Sequence, residues 1–206
     1  MRNWTENQIN LILIRHGETP SNTLKRYLGK TDEDLSEAGI EKLLLEKEKG
    51  KYPKADILFS SPMKRCIQTA EILYGCKKPV IIEEWREIDF GRFEGKNYKE
   101  LNGDADYQAW IDSNGELPFP EGESREEFLQ RCQKGLQKAV AGLVREERET
   151  PVTAAAVVHG GNIMALLSAC HGGNYYDYQC KNAEGYMCSL KFLNKSELSI
   201  EIIRKL

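Results

Sequence analysis

The sequence has little that would suit a nucleic acid or a membrane as partner. Its 29 lysines and arginines are outnumbered by 32 aspartates and glutamates, and the formal net charge is -3. This balance gives no reason to expect binding to nucleic acid or to an anionic membrane surface. No apolar run approaches the length of about 20 residues that a membrane span needs. Because residues 1–7 are also too polar for a signal peptide, we expect a cytoplasmic protein.

The cysteines lack the close pairing that is typical of zinc sites. Six are present, and no two of them form a Cys-x-x-Cys pair. We interpret them as reduced thiols that mostly pack in the core. The one alternative is a zinc site made of Cys170, His171, Cys180 and Cys188, whose spacing matches no familiar pattern. We predict neither a bound metal nor a cofactor.

Apolar strand patterns alternate with helical patterns along the chain. Strands are expected at 9–14, 57–59, 79–82 and 152–158, and helices at 38–49, 63–74, 124 to about 147, and 162 to about 170. Two further alternating stretches, 187–193 and 198–203, predict a closing hairpin. This order predicts an α/β protein with parallel strand pairs. The 206 residues suit a single domain, with a small inserted lid at about residues 92–122.

Local signals mark several helix starts. Ser36 offers an N-cap for the first long helix. Residues 60–62, Ser-Ser-Pro, offer hydroxyl caps followed by proline at the first helical position. Ser124 and Glu127 match the Ser-x-x-Glu capping box. The polar residues 19–34 predict a loop over the end of the first strand.

Cationic and imidazole side chains follow the predicted strands. The aliphatic residues 11–14 predict a strand buried on both faces, and Arg15 and His16 come directly after it. Arg65 lies in the first turn after the second strand, and His159 follows the strand at 152–158. Carboxyl ends of parallel strands meet where α/β sheets bind ligands, and guanidinium groups and helix N-termini bind anions. The sequence therefore predicts a pocket for a tetrahedral dianion.

Five segments resemble, in order, the motifs of the histidine phosphatase superfamily, also called the phosphoglycerate mutase-like family. They are Leu-Ile-Arg-His-Gly-Glu-Thr at 13–19 with Asn22, Ser-Ser-Pro-Met-Lys-Arg at 60–65, Glu-Ile-Asp-Phe-Gly at 87–91, Pro-Glu-Gly-Glu-Ser at 120–124 and Val-Val-His-Gly-Gly at 157–161. Any one of them could arise by chance, whereas five in order are specific. The resemblance implies a three-layer α/β/α fold with a mostly parallel central sheet.

The resemblance also implies a role for each site residue. His16 would be the nucleophile that forms a phosphohistidine, and Glu87 the acid that protonates the leaving oxygen. Arg15, Arg65 and His159 would bind the transferring phosphoryl group, without a metal ion. Contacts to the substrate are expected from Asn22, Gly160, Thr19 and Asn162.

This chemistry sets physical requirements. The attacking nitrogen of His16 must be unprotonated, so its other nitrogen needs a fixed acceptor. A carbonyl near Gly17 or a loop side chain could provide that acceptor. The flanking guanidinium groups should keep the ring neutral, while Glu87 must be protonated to act as an acid.

Some positions have competing interpretations. Lys64, next to Arg65, could be the inward cation instead. Other carboxylates in the same charge run could replace Glu87, namely Glu83, Glu84, Asp89 and Glu94. His171 is expected to end a helix and to be structural. The tyrosines at 175, 176, 178 and 186 either wall the substrate pocket or pack in the core, and the sequence does not decide between the two.

The resemblance allows more than one function. Mutase members usually have larger insertions and a C-terminal tail over the site, whereas here the predicted insertion is short and the chain ends on a predicted strand. An open site admits water and favours hydrolysis. We expect a phosphomonoesterase for a small phosphorylated metabolite, either α-ribazole 5'-phosphate, which residues 182–185 suggest, or a sugar phosphate. The alternatives are a cofactor-dependent phosphoglycerate mutase and a non-catalytic phospho-ligand binding protein. A homodimer is one assembly that the sequence allows.

Overall fold

A mixed β-sheet runs through the computed structural model, which describes residues 9–75, 77–144, 151–192 and 198–206. Its strands are β1 (Ile9–Arg15), β2 (Ile57–Ser60), β3 (Val80–Ile81), β4 (Val152–Val158), β5 (Gly185–Phe192) and β6 (Leu198–Lys205), in the order β3-β2-β4-β1-β5-β6. The β1–β4, β2–β4 and β2–β3 pairs are parallel, and β5 runs antiparallel to both of its neighbours. The predicted α/β class with a mostly parallel sheet is confirmed.

Helices cover both faces of the sheet. They are α1 (Pro20–Thr23), α2 (Glu37–Glu48), α3 (Lys64–Tyr74), α4 (Ala105–Asp112), α5 (Arg125–Val144) and α6 (Gly160–Cys170), with short 3-10 turns at Glu83–Trp85, Gly91–Phe93 and Tyr175–Tyr178. Residues of α2 and α3 contribute to one hydrophobic core, and residues of α5 and α6 to the other. The result is the expected three-layer arrangement. Within the described ranges, none of the helices is both long and apolar enough to cross a bilayer.

Strand β1 is buried on both faces. Leu11 and Leu13 belong to the core that includes α5 and α6, whereas Ile12 and Ile14 belong to the core that includes α2 and α3. Each of the four side chains is at most 2% exposed. Burial of one such side chain stabilises the fold by about 1.5–3 kcal/mol, and a one-residue slip would exchange the two faces. The register of the strand that carries Arg15 is therefore tightly specified.

The parallel strands end at a common edge. Arg15 is paired with Val158, and Ser60 with Val157. The backbone N–H of His16 donates to the carbonyl of Val158 at 3.0 Å. This register places the residues that follow β1, β2 and β4 side by side, as the alternating pattern of strands and helices predicts.

The predicted helix starts are confirmed at two of three places. Ser36 accepts the N–H of Gly39, and the Ser124 capping box is formed. The predicted start of α3 is wrong, because the helix begins at Lys64 and Met63 is its N-cap without a side-chain cap. The N–H of Lys64 instead donates to Asp32 Oδ1 at 2.8 Å, so the loop after β1 caps α3.

Other boundaries differ from the prediction. The loop at 19–34 contains the short helix α1, and the strand expected at 79–82 is reduced to the two exposed residues of β3. The closing hairpin is confirmed as β5 and β6, with its expected turn outside the described residues. Residues 145–147, expected to extend α5, also lie outside them.

The segment predicted as an inserted lid contains α4 and the turns around it. Its aromatic side chains pack against Tyr27, which follows α1. The ring centroids of Tyr27 and Trp110 lie 6.3 Å apart, and those of Trp110 and Phe119 lie 5.1 Å apart. The segment is thus attached to the chain near β1 by an aromatic cluster.

Candidate active site

The ring of His16 is held in one tautomer by a backbone carbonyl. His16 is 3% exposed, and its Nδ1 lies 2.7 Å from the carbonyl oxygen of Gly17. A carbonyl oxygen can only accept a hydrogen bond, so Nδ1 carries the proton. In the neutral ring, Nε2 then keeps its lone pair. The acceptor that a nucleophilic His16 requires is present.

The environment of His16 also keeps the ring neutral. Burial, followed by the charges of Arg65 and Arg15, holds the pKa of His16 well below its ordinary value. The hydrogen bond to Gly17 opposes this shift but does not reverse it. A neutral imidazole with an available nitrogen can act as a nucleophile at pH 7.

His159 lies edge-on to His16. Their ring centroids are 5.1 Å apart, with an angle of 68° between the planes. Arg65 Nε donates to His159 Nδ1 at 3.3 Å, so His159 Nε2 carries the proton and donates to Ser61 Oγ at 2.8 Å. Burial and the charge of Arg65 hold the pKa of His159 well below its ordinary value. Both nitrogens of this ring are bonded to protein groups.

Arg65, rather than Lys64, is the inward cation. Arg65 is completely buried, whereas Lys64 is exposed. The guanidinium group of Arg65 donates to the carbonyls of Thr31 at 2.8 Å and Gly29 at 2.9 Å, in addition to its bond with His159. These bonds tie the loop over the strand edge to the site.

Arg15 lies next to the first turn of α6. Its Nη1 donates to the carbonyl of Cys180 at 2.7 Å, while its buried Nε has no partner within the described part of the chain. A methyl group added at Gly160 would lie 3.4 Å from the Arg15 guanidinium, so the start of the helix approaches it closely. An unpaired guanidinium N–H beside a helix N-terminus favours an anion.

Glu87 approaches the same helix turn. It is partly buried, and its Oε1 accepts the N–H of Ile88 at 3.0 Å. A methyl group added at Gly161 would lie 2.3 Å from this oxygen. Burial raises the pKa of Glu87, against the opposing effects of the Ile88 N–H and of Arg65 and Arg15. A carboxyl group with a raised pKa suits a general acid.

The competing carboxylates are engaged elsewhere. Glu83 pairs with Arg86, Glu84 with Lys138, and Asp89 with Lys30, while Glu94 accepts the N–H groups of Gly29 and Thr31. Of the five acidic residues in this run, Glu87 lies against α6 and feels the charges of both site arginines.

Two of the four expected substrate contacts, Gly160 and Asn22, present a group that can face a ligand. Gly160 begins α6 beside Arg15, as described above. The side-chain Oδ1 of Asn22 accepts from the N–H of Thr19 and from Asn182 Nδ2. The side-chain nitrogen Nδ2 of Asn22 has no partner in the described ranges. That nitrogen remains available as a donor to an anion.

The other two expected contacts, Thr19 and Asn162, are buried and bonded within the protein. Thr19 is completely buried and caps α1, because its Oγ1 accepts the N–H of Asn22. Asn162 is also completely buried, and its Oδ1 accepts the N–H of His159 at 3.1 Å while its Nδ2 donates to Cys132 Sγ. These two residues hold the backbone of the site.

Three supporting residues could not be assigned from the sequence. Thr69 accepts the N–H of Gly17 at 3.0 Å. Asn182 donates to the carbonyls of His16 and Gly17, each at 3.2 Å. Arg131 donates to the carbonyl of Arg86 at 2.9 Å and pairs with Glu123, so it fixes the backbone next to Glu87. Such contacts join distant segments and leave no local pattern.

Some of the tyrosines wall the substrate cleft and others pack in the core. Tyr175 and Tyr176 line a cleft that includes Arg15 and Glu87. Tyr178 instead packs against His171 and Tyr186, with ring centroids 6.1 and 6.3 Å away. His171 is the C-cap of α6, as expected.

No metal centre is formed among the residues that the structure describes. No three histidine, cysteine or carboxylate side chains are placed there to hold a metal ion, and the alternative zinc set around Cys170 and His171 does not form such a group. The cysteines in the described ranges are free thiols, and Cys76 lies outside those ranges.

Comparison with known proteins agrees with this geometry. Residues 11–195 match the histidine phosphatase superfamily (branch 1). This chain belongs to that superfamily. Phosphoserine phosphatase 1 from Hydrogenobacter thermophilus is 30% identical over 182 residues, which cover 85% of this chain and 83% of that protein. The resemblance inferred from the five motifs is confirmed.

Solved structures of a phosphatase and of a mutase share the fold. The α-ribazole phosphatase from Shigella flexneri has a TM-score of 0.75 at 20% identity, covering 94% of this chain and 95% of that one. A phosphoglycerate mutase from Thermus thermophilus has a TM-score of 0.69 at 26% identity, covering 96% and 98% of the two chains. Phosphatases and mutases thus both occur among the relatives.

Proposed function

We propose that this protein is a phosphomonoesterase that hydrolyses a small-molecule phosphate ester through a phosphohistidine at His16. The observation that carries the proposal is the fixed tautomer of His16. Its Nδ1 is bonded to the carbonyl of Gly17 at 2.7 Å, and burial together with two guanidinium groups keeps the ring neutral. Phosphoryl transfer depends mainly on such positioning and on charge stabilisation.

In the first step, His16 Nε2 attacks phosphorus and the bond to the leaving oxygen breaks. Glu87 gives its proton to that oxygen, so an alcohol departs. In the second step, the Glu87 carboxylate takes a proton from water, the resulting hydroxide attacks phosphorus, and the N–P bond breaks. Inorganic phosphate leaves, and both side chains regain their starting forms.

The cations of the site stabilise the transferring group. Arg15 has an unpaired Nε and lies beside Gly160 at the start of α6. Arg65 supplies a second fixed charge, and the free amide nitrogen of Asn22 can donate as well. Interactions of this kind stabilise the charge that develops on the equatorial oxygens. We propose that His159 assists by donating from Nε2, exchanging Ser61 for a phosphate oxygen.

Hydrolysis is favoured over mutase activity by the charge around the cleft. Of the described residues that line it, Arg125 is the one cation besides Arg15. Arg125 Nη2 already donates to the carbonyls of Asn114 and Gly115. A second phosphate or a carboxylate on the ligand would therefore find one cation in this cleft, Arg125, part of whose hydrogen-bonding capacity is already used. We propose a metal-independent enzyme that acts on α-ribazole 5'-phosphate or a sugar phosphate.

We also propose a cytoplasmic location. The free thiols described above support it, because reduced cysteines are typical of that compartment.

A single-turnover labelling experiment tests the proposed function. Enzyme is mixed briefly with a phosphate ester that carries a labelled phosphoryl group and is then quenched with base. We expect an acid-labile, base-stable phosphoprotein, followed by release of inorganic phosphate. Interconversion of phosphoglycerates stimulated by 2,3-bisphosphoglycerate, without net phosphate release, would instead establish a mutase. A chain that forms no phosphoprotein with any ester would be a binding protein.

A substitution at Gly161 should displace the acid and leave the nucleophile in place. In Gly161→Ala the new methyl group would lie 2.3 Å from Glu87 Oε1, so the carboxyl group must move. We expect a loss of about 10²-fold in kcat for an alkyl phosphate, because small displacements of a catalytic group have effects of this size. p-Nitrophenyl phosphate, whose leaving group needs little protonation, should lose much less.

The neighbouring glycine provides a control. A methyl group at Gly160 would meet its nearest atoms, those of Arg15, at 3.4 Å, which is an ordinary contact distance. Gly160→Ala should therefore not discriminate between the two esters. An equal loss on both esters in Gly161→Ala would argue against displacement of the acid.

A further inference from the structure

A cleft of about 300 Å³ extends from the phosphoryl site, and six of the residues that line it are aromatic. Arg15, Glu87, Gly160 and Gly161 belong to its lining and connect it to the site. The aromatic residues of the wall are Tyr27, Phe90, Trp110, Phe119, Tyr175 and Tyr176. This volume is at the lower end of the range of roughly 300–1,000 Å³ that small-molecule sites occupy. We expect the alcohol part of the substrate to enter this space, because the proposed acid Glu87 lines it together with Arg15 and the start of α6.

The aromatic wall is held rigidly. The ring centroid of Phe90 lies 5.0 Å from that of Phe119 and 5.1 Å from that of Tyr27. The Arg125 guanidinium lies over Tyr175 and Tyr176, 5.0 and 5.2 Å from their centroids. Side chains fixed in this way lose little conformational entropy when a ligand binds.

The cleft offers few charges to a polar leaving group. Among the described lining residues, Glu87 is the one carboxylate, and it serves as the acid. An ammonium group, such as that of phosphoserine, would be removed from water without an anionic partner. The cation Arg125 donates from Nη2 to backbone carbonyls and lies over two tyrosines, and the lining residues other than Arg15, Glu87 and Arg125 are mainly aromatic or aliphatic. An uncharged, apolar group suits this space better.

We propose that the physiological substrate is a phosphate ester whose alcohol carries an aromatic ring, and that this ring binds between the aromatic side chains of the cleft. The proposal rests on the proposed function of the same site. Aromatic rings favour offset or edge-to-face contacts at centroid distances of about 4.5–7 Å, as the wall residues already do with one another. A saturated ring of similar size would gain the apolar burial but not these contacts.

Three alkyl esters that differ only in the ring test the proposal. They are 2-phenylethyl, 2-cyclohexylethyl and ethyl phosphate, in each of which the leaving group is a primary alkoxide. We expect kcat/KM to be highest for the phenyl ester, by roughly two- to tenfold over the cyclohexyl ester, because one aromatic pair is worth about that much beyond area burial. Ethyl phosphate should be slower still, and O-phospho-L-serine should be no better than ethyl phosphate.

Two variants locate the binding of the ring. Tyr176 is 42% exposed at the rim of the cleft, so Tyr176→Ala should fold. It should reduce the preference for the phenyl ester over the ethyl ester severalfold, mainly through KM. Tyr98→Ala is the control, because Tyr98 is 52% exposed and does not line the cleft. The control should keep the preference of the unmodified protein.

Binding of non-hydrolysable phosphonates separates the two possible failures. The dissociation constants of 3-phenylpropyl- and propylphosphonate are measured by calorimetry on the unmodified protein. A phosphoprotein that forms equally well from all three esters, with equal binding of the two phosphonates, overturns the aromatic substrate and leaves the proposed function standing. A preference for phosphoserine has the same consequence. If no ester yields a phosphoprotein, the proposed function fails, and the substrate assignment fails with it.

Discussion

His16→Ala will abolish the turnover of phosphate esters while the protein stays folded. The substitution removes the nitrogen that we propose as the acceptor of the phosphoryl group, and His159 should not replace it, because both of its nitrogens are bonded to Arg65 and Ser61. We expect kcat to fall by at least roughly 10⁴-fold, as is usual when a nucleophile is lost. The side chain of His16 bonds to a backbone carbonyl through Nδ1, so its removal leaves the sheet intact.

The third histidine provides a matched control. His171 is exposed at the C-terminus of α6 and bonds to the carbonyl of Ile200. His171→Ala should keep the activity and the phosphoprotein of the unmodified protein. Circular dichroism and thermal unfolding should show both variants folded. Turnover in His16→Ala close to that of the unmodified protein would remove the nucleophile assignment.

Glu87→Gln will separate esters by their leaving groups. Glutamine keeps the shape of the side chain but cannot give a proton. We expect kcat for an alkyl phosphate to fall by about 10²–10⁴-fold, the usual contribution of a general acid. Transfer from p-nitrophenyl phosphate needs little protonation and should slow much less. Equal slowing of both esters would indicate that another group is the acid.

The pH dependence of the same pair of esters follows from the two pKa shifts. Burial raises the pKa of Glu87, so its proton is present up to a higher pH than is usual for glutamate and is lost as the pH rises further. The alkyl ester should therefore lose activity relative to p-nitrophenyl phosphate on the alkaline side. This ratio largely cancels the ionisation of the phosphate group, which the two esters share.

On the acid side, His16 must lose its proton to attack. Because burial, Arg65 and Arg15 lower its pKa, the ring stays neutral to a lower pH than an ordinary histidine. We expect the acid limb of the kcat/KM profile to lie at a lower pH than the pKa of an ordinary histidine, for both esters. Glu87→Gln should remove the alkaline difference between the esters and keep the acid limb.

The supporting contacts show where local patterns fail. Ser61 belongs to a hydroxyl pair that the sequence assigns to helix capping, yet its Oγ bonds to His159. Asp32 caps α3 from a loop more than thirty residues away in sequence, at 2.8 Å from the N–H of Lys64. A side chain takes the partner that the folded chain brings closest, and periodicity and local propensity contain no information on such partners.

The choice among similar residues was likewise decided by packing. Glu83, Glu84 and Glu87 are the same residue type in one short run of the sequence. Of these three, Glu87 alone lines the cleft and lies against the first turn of α6. Thr19 lies within the first motif and Asn162 directly follows the last one, yet both are buried as backbone supports. Motif membership thus identified the right segments without deciding which atom of each residue would be exposed to a ligand.

By itself, the sequence determined the order of strands and helices, the strand buried on both faces, and the placement of Arg15, His16, Arg65 and His159 at one edge of the sheet. These features follow from apolar periodicity and from the rule that parallel strands end together. Only the tertiary structure decided the tautomer of His16, which of the neighbouring carboxyl groups lies against α6, and the aromatic residues of the cleft. Each of these depends on contacts between segments far apart in the chain, and such contacts exist only once the layers have packed.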